Sequence, residues 1–177
     1  MRRILVVIDM QNDFITGALG SDEARKIVAP VSEYIQAFPG EVLFTKDTHY
    51  ADYLDSREGK KLPVIHCVEN TFGWQLTPPL ENFQQSHQCP VFCKKTFGST
   101  ELARYLLEEN NQEKIDEIQL IGVCTDICVI SNALTLRAFL PETPIGVVAS
   151  CCAGVTPQSH QTALDAMAAC QIDILSD

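Results

Sequence analysis

Apolar positions along this chain switch repeatedly between two periods. Residues 4–8 (ILVVI) are a continuous apolar run, the pattern of a strand buried on both faces. Over 22–37 the period lengthens, and Ala24, Ile27, Val28, Val31 and Ile35 fall on one stripe of a helix. Residues 41–45 (EVLFT) read as a second strand and 91–93 (VFC) as a short third. Ser99 opens a helix through Glu109, with Leu102, Leu106 and Leu107 facing inward. Residues 117–123 form the next strand and lead into a helix ending at Phe139. A strand over 145–149, a helix over 157–170 with Ala163, Met167 and Cys170 on one face, and a strand over 172–175 complete the chain. Between 48 and 88 no clean period survives, and Pro63, Pro78 and Pro79 interrupt the segment. It reads as a long excursion, and loops of that length are usually functional.

This alternation predicts an α/β fold of three layers, α-β-α, with a mainly parallel sheet and helices on both faces. Ligands in such folds sit beyond the C-terminal ends of the strands. That rule selects Asp9, Lys46, Asp47, Lys94, Lys95, Cys124, Cys128 and Ser150.

Composition narrows the class. The 177 residues show no repeat, low-complexity segment or linker, and they fit one domain over 1–177. A net charge of -10 argues against nucleic acid or an anionic membrane as partner. The N-terminus has two arginines and an apolar run, but the run reaches Asp9 after about five residues, too few for a signal peptide. No stretch approaches the ~20 apolar residues of a membrane span. A cytoplasmic protein is expected. None of the eight cysteines is in a CxxC pair, so free thiols are expected, most of them small core residues.

The segment 120–129 (LIGVCTDICV) carries the clearest chemistry. An apolar run ends at a glycine-containing turn, and Thr125 or Asp126 can cap the helix that follows, which puts Cys128 in its first turn. Helix N-termini offer unpaired N–H groups and partial positive charge, which favour a thiolate. The amides of Cys124 and Cys128 can then converge on an oxyanion, as at the serine elbow of other hydrolases. A buried structural cysteine is the alternative. Asp9 can take or position the thiol proton, or it can simply cap its turn. A lysine beside the sulfur would favour the thiolate, and two adjacent lysines, Lys94 and Lys95, leave the choice open. Asp47 and His49 lie two apart on an extended segment, so both point to one side. With His66 they suit zinc, iron or manganese. His87 and His160 have no spacing that suggests chemistry. Cys151 and Cys152 read as packing, and Gln11 and Asp13 as shapers of the turn after the first strand.

Taken together and in order, VIDMQNDF, KKTFGSTEL and LIGVCTDICVISNAL resemble the three signatures of the isochorismatase-like cysteine hydrolases, which include nicotinamidases and pyrazinamidases. The resemblance runs over nearly the whole chain. It implies a catalytic triad of Asp9, Lys94 and Cys128, with Lys94 preferred over Lys95 for its spacing to the TFGS tetrad. It implies a non-proline cis peptide between Val123 and Cys124 that aims the Cys124 amide at the oxyanion. KDTHY and PVIHC match the family's metal layout, implying Asp47, His49 and His66 as ligands. An added carboxylate falls on Glu58, with Asp52 and Asp55 as rivals. The implied cofactor is a divalent metal, zinc first, with iron or manganese as alternatives. It would hold a pyridine nitrogen and orient the substrate amide toward Cys128. Phe14 by resemblance, and Trp74 by position, become walls for the substrate ring.

The expected reaction is hydrolysis of a small amide, nicotinamide to nicotinate and ammonia, by a homo-oligomer. One alternative keeps the triad and acts on isochorismate, a carbamoyl compound or another small amide. Asp47, His49 and His66 speak against isochorismate, whose vinyl ether needs no pyridine-holding metal. A non-catalytic or redox-sensing thiol protein is the alternative of a different class.

Overall fold

The computed structural model describes residues 1–176. Its elements run β1 (Arg3–Ile8), α1 (Asn12–Ile15), α2 (Asp22–Lys26), α3 (Val28–Ala37), β2 (Glu41–Asp47), α4 (Arg57–Lys61), α5 (Pro78–His87) and β3 (Val91–Lys94). Then follow α6 (Thr100–Gln112), β4 (Glu117–Val123), α7 (Ile130–Phe139), β5 (Ile145–Ala153), α8 (Pro157–Ala169) and β6 (Asp173–Leu175). Six parallel strands form one sheet in the order β3-β2-β1-β4-β5-β6.

The two-residue period of β1 divides the core. Ile4, Val6 and Ile8 face one layer, where they meet Leu102 and Leu106 of α6, Ala133 and Leu136 of α7, and Leu164 and Met167 of α8. Leu5 and Val7 face the other, against Ala24 of α2, Val31 and Ile35 of α3, and Leu80 of α5. The expected three-layer α/β architecture is therefore present. The helices start where short polar side chains can cap them. Ser99 Oγ accepts the Leu102 N–H at 3.1 Å, and Thr156 with Ser159 forms a reciprocal capping box on α8.

Several boundaries differ from the sequence reading. The single helix over 22–37 is two, because Pro30 cannot donate to the Lys26 carbonyl and its ring crowds that carbonyl, so the chain breaks at Ile27. The excursion over 48–88 holds a 3-10 turn (Tyr53–Asp55) and the short helices α4 and α5, each begun at a polar residue, with Pro78 at the first position of α5. Strand β5 extends through Cys151 and Cys152 to Ala153. Its pairing with β4 slips between Leu120 and Gly122, and the extra residues are absorbed there. Ser150 therefore lies within the strand rather than at its end. Among the described residues, no helix is long and apolar enough to cross a membrane.

Candidate active site

The strand order reverses at β1, which lies between β2 and β4. In open parallel sheets this switch point is where the crevice forms. Four strand ends meet around it: β1 ends before Asp9, β2 at Asp47, β3 at Lys94 and β4 before Cys124. Gly122 makes the meeting of β1 and β4 possible. It pairs with Ile8 at a φ of 119°, and a Cβ there would stand 2.2 Å from the Ile8 carbonyl oxygen.

Asp9 turns the chain out of the sheet with a φ of 49°, a left-handed conformation that Asp tolerates better than most residues. Its carboxylate is fully buried. Oδ1 accepts from Thr45 Oγ1 at 2.6 Å and Oδ2 from Lys94 Nζ at 2.6 Å. Lys94 Nζ also lies 3.5 Å from Cys128 Sγ. Burial pushes the Asp9 carboxyl above its ordinary value, with Lys94 opposing. Burial alone would lower Lys94, but the charges of Asp9, Cys128 and Asp47 outweigh it and hold the ammonium well above its ordinary value. Burial, then the charge of Asp9, pushes the Cys128 thiol well up. Burial thus opposes the pull toward a thiolate that the sequence reading expects of a helix N-terminus. Lys94 opposes that upward shift, and the sulfur lies beside the Asp9–Lys94 pair.

The turn carrying Cys128 is also not the α-helical first turn read from the sequence. Residues Thr125–Val129 form one π turn, in which the Cys124 carbonyl accepts from Ile127 and Val129, both at 3.0 Å. Neither Thr125 nor Asp126 caps it. Thr125 Oγ1 pairs with His160 Nδ1 at 2.8 Å, and Asp126 Oδ1 accepts the Val155 N–H at 3.1 Å. Both side chains instead anchor the turn to α8 and its approach. The peptide between Val123 and Cys124 is cis.

A second cluster adjoins the first. One ligand atom from each of Asp47, His49, Glu58 and His66 lies within 4.8 Å of all the others. Oδ2 of Asp47 is 2.9 Å from His49 Nε2 and 3.4 Å from His66 Nε2, and Oε1 of Glu58 is 3.7 and 3.8 Å from the same two nitrogens. Four ligands at about 2.1 Å from one ion stand about 3.4 Å apart, so the set has the size of a metal site. Two details favour ligation. His49 Nε2 is buried without a hydrogen-bond partner despite its nearness to Asp47. His66 Nδ1 contacts the Val64 carbonyl at 2.7 Å, which leaves Nε2 as the free lone pair. Burial would raise the Asp47 carboxyl, but the two imidazoles and Lys94, whose Nζ is 3.8 Å from Asp47 Oδ1, hold it well below the usual carboxylate range. Asp52 and Asp55 line the same cavity but stand outside the ligand set.

The isochorismatase domain family model matches residues 3–176. The chain belongs to the isochorismatase family. It is 27% identical over 195 residues to the nicotinamidase/pyrazinamidase of Mycobacterium tuberculosis, covering 98% of each chain. Among solved structures it resembles the pyrazinamidase/nicotinamidase of Streptococcus mutans, with a TM-score of 0.85 and 25% identity over 98% of this chain and 99% of that one. It also resembles the pyrazinamidase of Pyrococcus horikoshii in complex with zinc, with a TM-score of 0.80 and 26% identity over all of both chains.

In this member of the isochorismatase family Cys128 and the Asp47, His49, Glu58 and His66 cluster line one cavity of about 1050 Å³, whose walls also include Phe14, Tyr50, Phe97 and Ile127. The Phe14 ring packs edge-on to His66 at 5.6 Å. Trp74 does not line the cavity, which corrects its reading as a ring wall. Its indole donates to Thr48 Oγ1 at 2.9 Å and its face lies 4.1 Å from Lys46 Nζ, so both its polar and its aromatic side are occupied elsewhere. Lys95 stays exposed, with Nζ 4.3 Å from the Tyr50 ring, and makes no contact with Asp9.

Sequence reasoning missed three supporting residues. Thr45 holds Asp9, and its only signal is a hydroxyl directly after the apolar run 42–44. Gln11, read as a turn shaper, grips the Asp47 backbone in both directions at 2.8 Å. Tyr53 packs on His49 and His66 while its hydroxyl donates to the Leu62 carbonyl, a pairing no local motif announces.

Proposed function

We propose that this chain is a cysteine-dependent amidohydrolase that converts nicotinamide and water to nicotinate and ammonia through a thioester on Cys128. The observation that carries the reading is Cys128, its Sγ 3.5 Å from a Lys94 ammonium that lies 2.6 Å from Asp9, lining the same cavity as a four-residue metal-ligand cluster. Nicotinamidases and pyrazinamidases among the relatives support the substrate class.

Asp9, the buried and upward-shifted carboxylate, takes the thiol proton as sulfur attacks the carboxamide carbon. Lys94 keeps its charge throughout and lowers the cost of anionic sulfur. The N–H groups of Cys124 and Cys128 receive the oxyanion. The carboxyl of Asp9 returns the proton to the departing nitrogen, and ammonia leaves. Asp9 then takes a proton from water, hydroxide opens the thioester, and the sulfur recovers its proton. Asp47, His49, Glu58 and His66 would hold a divalent ion, zinc by their donor types, which supplies a Lewis acid for the pyridine nitrogen. Phe14 flanks the ring and fixes its plane.

The test is ammonia release from nicotinamide by metal-loaded protein, with Cys128→Ala and a chelated sample beside it. Release is expected from the first and loss from the other two. No ammonia from nicotinamide under any metal sinks the substrate assignment, and full activity in Cys128→Ala sinks the thioester.

A further inference from the structure

The contact between Lys94 and Cys128 joins segments that the sheet itself keeps apart. Strands β3 and β4 are separated by β2 and β1, three strand spacings or about 14 Å. Strand pairing therefore does not set the 3.5 Å between the ammonium and the sulfur. Asp9 holds the ammonium at 2.6 Å, and a tie above the sheet must bring the Cys128 segment to it.

Asn132 sits on α7 one turn beyond Cys128 and is 1% exposed. Its Nδ2 donates to the Cys128 carbonyl at 2.8 Å and to the Phe97 carbonyl at 3.0 Å, while Oδ1 accepts the Ser99 N–H at 2.9 Å. One side chain thus ties the backbone of the sulfur-bearing residue to Phe97 and Ser99, the middle and the far end of the loop that follows Lys94. Among the described residues, these bonds are the backbone tethers between that loop and the Cys128 segment. The loop also lies flush on α7. A Cβ on Gly98 would stand 2.8 Å from Thr135 Oγ1 and 2.9 Å from the Ser131 carbonyl oxygen. A buried amide with every partner satisfied resists small shifts, because each lost bond leaves a dry carbonyl or N–H unpaired.

The geometry points to Asn132 as the positioning residue that sets the separation of the Lys94 ammonium from the Cys128 sulfur. The inference rests on the reading of Asp9, Lys94 and Cys128 as the reacting groups. It adds a residue that touches neither substrate nor the reacting atoms. If the loop drifts, the sulfur loses the nearest positive charge, and the barrier to forming the thiolate rises while the ring-binding end of the cavity is unchanged.

The experiment compares Asn132→Ala, Asn132→Asp and Gly98→Ala with Leu136→Ala, an equally buried truncation one turn further along α7. Two quantities are read on metal-loaded protein. One is kcat and KM for ammonia release from nicotinamide. The other is the pH midpoint of iodoacetamide alkylation at Cys128, followed on its own peptide because Cys93 and Cys170 are exposed. Both Asn132 variants are expected to lower kcat at least tenfold with KM within threefold, and to move the midpoint upward. Leu136→Ala is expected to retain both. Gly98→Ala leaves Asn132 intact but presses the loop off the helix, so it should move the midpoint the same way. A folded Asn132 variant with kcat within twofold and an unmoved midpoint overturns the proposal, as does a Leu136→Ala variant that matches it. Should neither Asn132 variant fold, an unmoved midpoint in Gly98→Ala overturns it. Activity surviving in Cys128→Ala would overturn the underlying reading of the site instead, and that result is independent of the Asn132 variants.

Discussion

Lys94 Nζ donates to Asp9 Oδ2 at 2.6 Å across two strands, and both side chains are almost completely shielded from water. Such a pair gains little over an apolar replacement of both members, but removing one member is costly because it strands the other charge. The ammonium therefore has two duties, holding Asp9 ionised and lying beside Cys128.

Replacing Lys94 by Met should expose both duties. We expect Lys94→Met to lose roughly 3–5 kcal/mol of unfolding free energy at neutral pH, measured by urea denaturation, together with its amidase activity. Lys95→Ala should stay within about 0.5 kcal/mol of the parent and keep most of its kcat, since Lys95 is an exposed residue on the cavity wall beside the Tyr50 ring and its ammonium is not the one beside Cys128. Sign follows from the stranded acid. Without Lys94 the folded Asp9 binds its proton more tightly than the unfolded one, so part of the lost stability should return as pH falls. A Lys94→Met variant as stable as the parent would show the pair to be incidental.

Two strand ends are legible in the sequence because apolar runs stop abruptly at Asp9 and Lys94, whereas the second strand, read as 41–45, runs on through Lys46 to Asp47. Parallel topology follows from the alternation with helical stripes. What stays hidden depends on long-range packing. Spacing alone does not separate Glu58 from the other carboxylates of its polar stretch; the family resemblance picks it out, and in the structure α4, capped by Ser56 with Gly59 N–H donating at 2.9 Å, carries it to the imidazoles. The π turn at Cys128 is invisible because its residues fit an α-helix equally well. Trp74 was misassigned because a lone aromatic in a long loop gives no hint of which side its ring serves. The upward shift of the Cys128 thiol depends on burial, which spacing does not report.

Gln11 offers a test of the metal cluster that avoids its ligands. Its amide clamps the Asp47 backbone through two bonds of 2.8 Å and also donates to the Trp74 carbonyl at 2.9 Å. Outer partners of this kind orient a ligand, and losing them typically weakens metal affinity about 10–100-fold. Gln11→Ala should show that loss in competition with a chelating dye. Unchanged affinity would mean that Asp47 is held by its strand alone.

Phe14 and Trp74 separate a cavity wall from a framework residue. Phe14→Ala should raise KM for nicotinamide with a smaller effect on kcat, because a ring wall binds ground state and transition state alike. Trp74→Phe removes the hydrogen bond to Thr48 and leaves an aromatic face for Lys46, so it should lower the melting temperature and leave KM unchanged. Steady-state kinetics decide the point, and a raised KM in Trp74→Phe would put the indole back at the substrate.

His160 gives the last expectation, which concerns pH. Its imidazole is half-buried against Thr125. Burial lowers it from its ordinary value of 6.5, with the charge of Asp126 opposing. The folded state therefore binds the His160 proton less readily than the unfolded chain. Between the lowered folded value and 6.5 the unfolded chain carries more protons, so stability rises with pH through that window and is complete above it. On acidification the protein should lose stability, and His160→Gln should lose less. The comparison is the melting temperature of both proteins at pH 7.5 and pH 5, read as the difference between them so that other groups cancel. Protonation would also add a second donor on the ring and alter its pairing with Thr125, the residue that anchors the Cys128 turn. The gap between parent and variant should therefore narrow or invert at the lower pH. A gap of equal size at both would mean that His160 binds its proton equally in the folded and unfolded states.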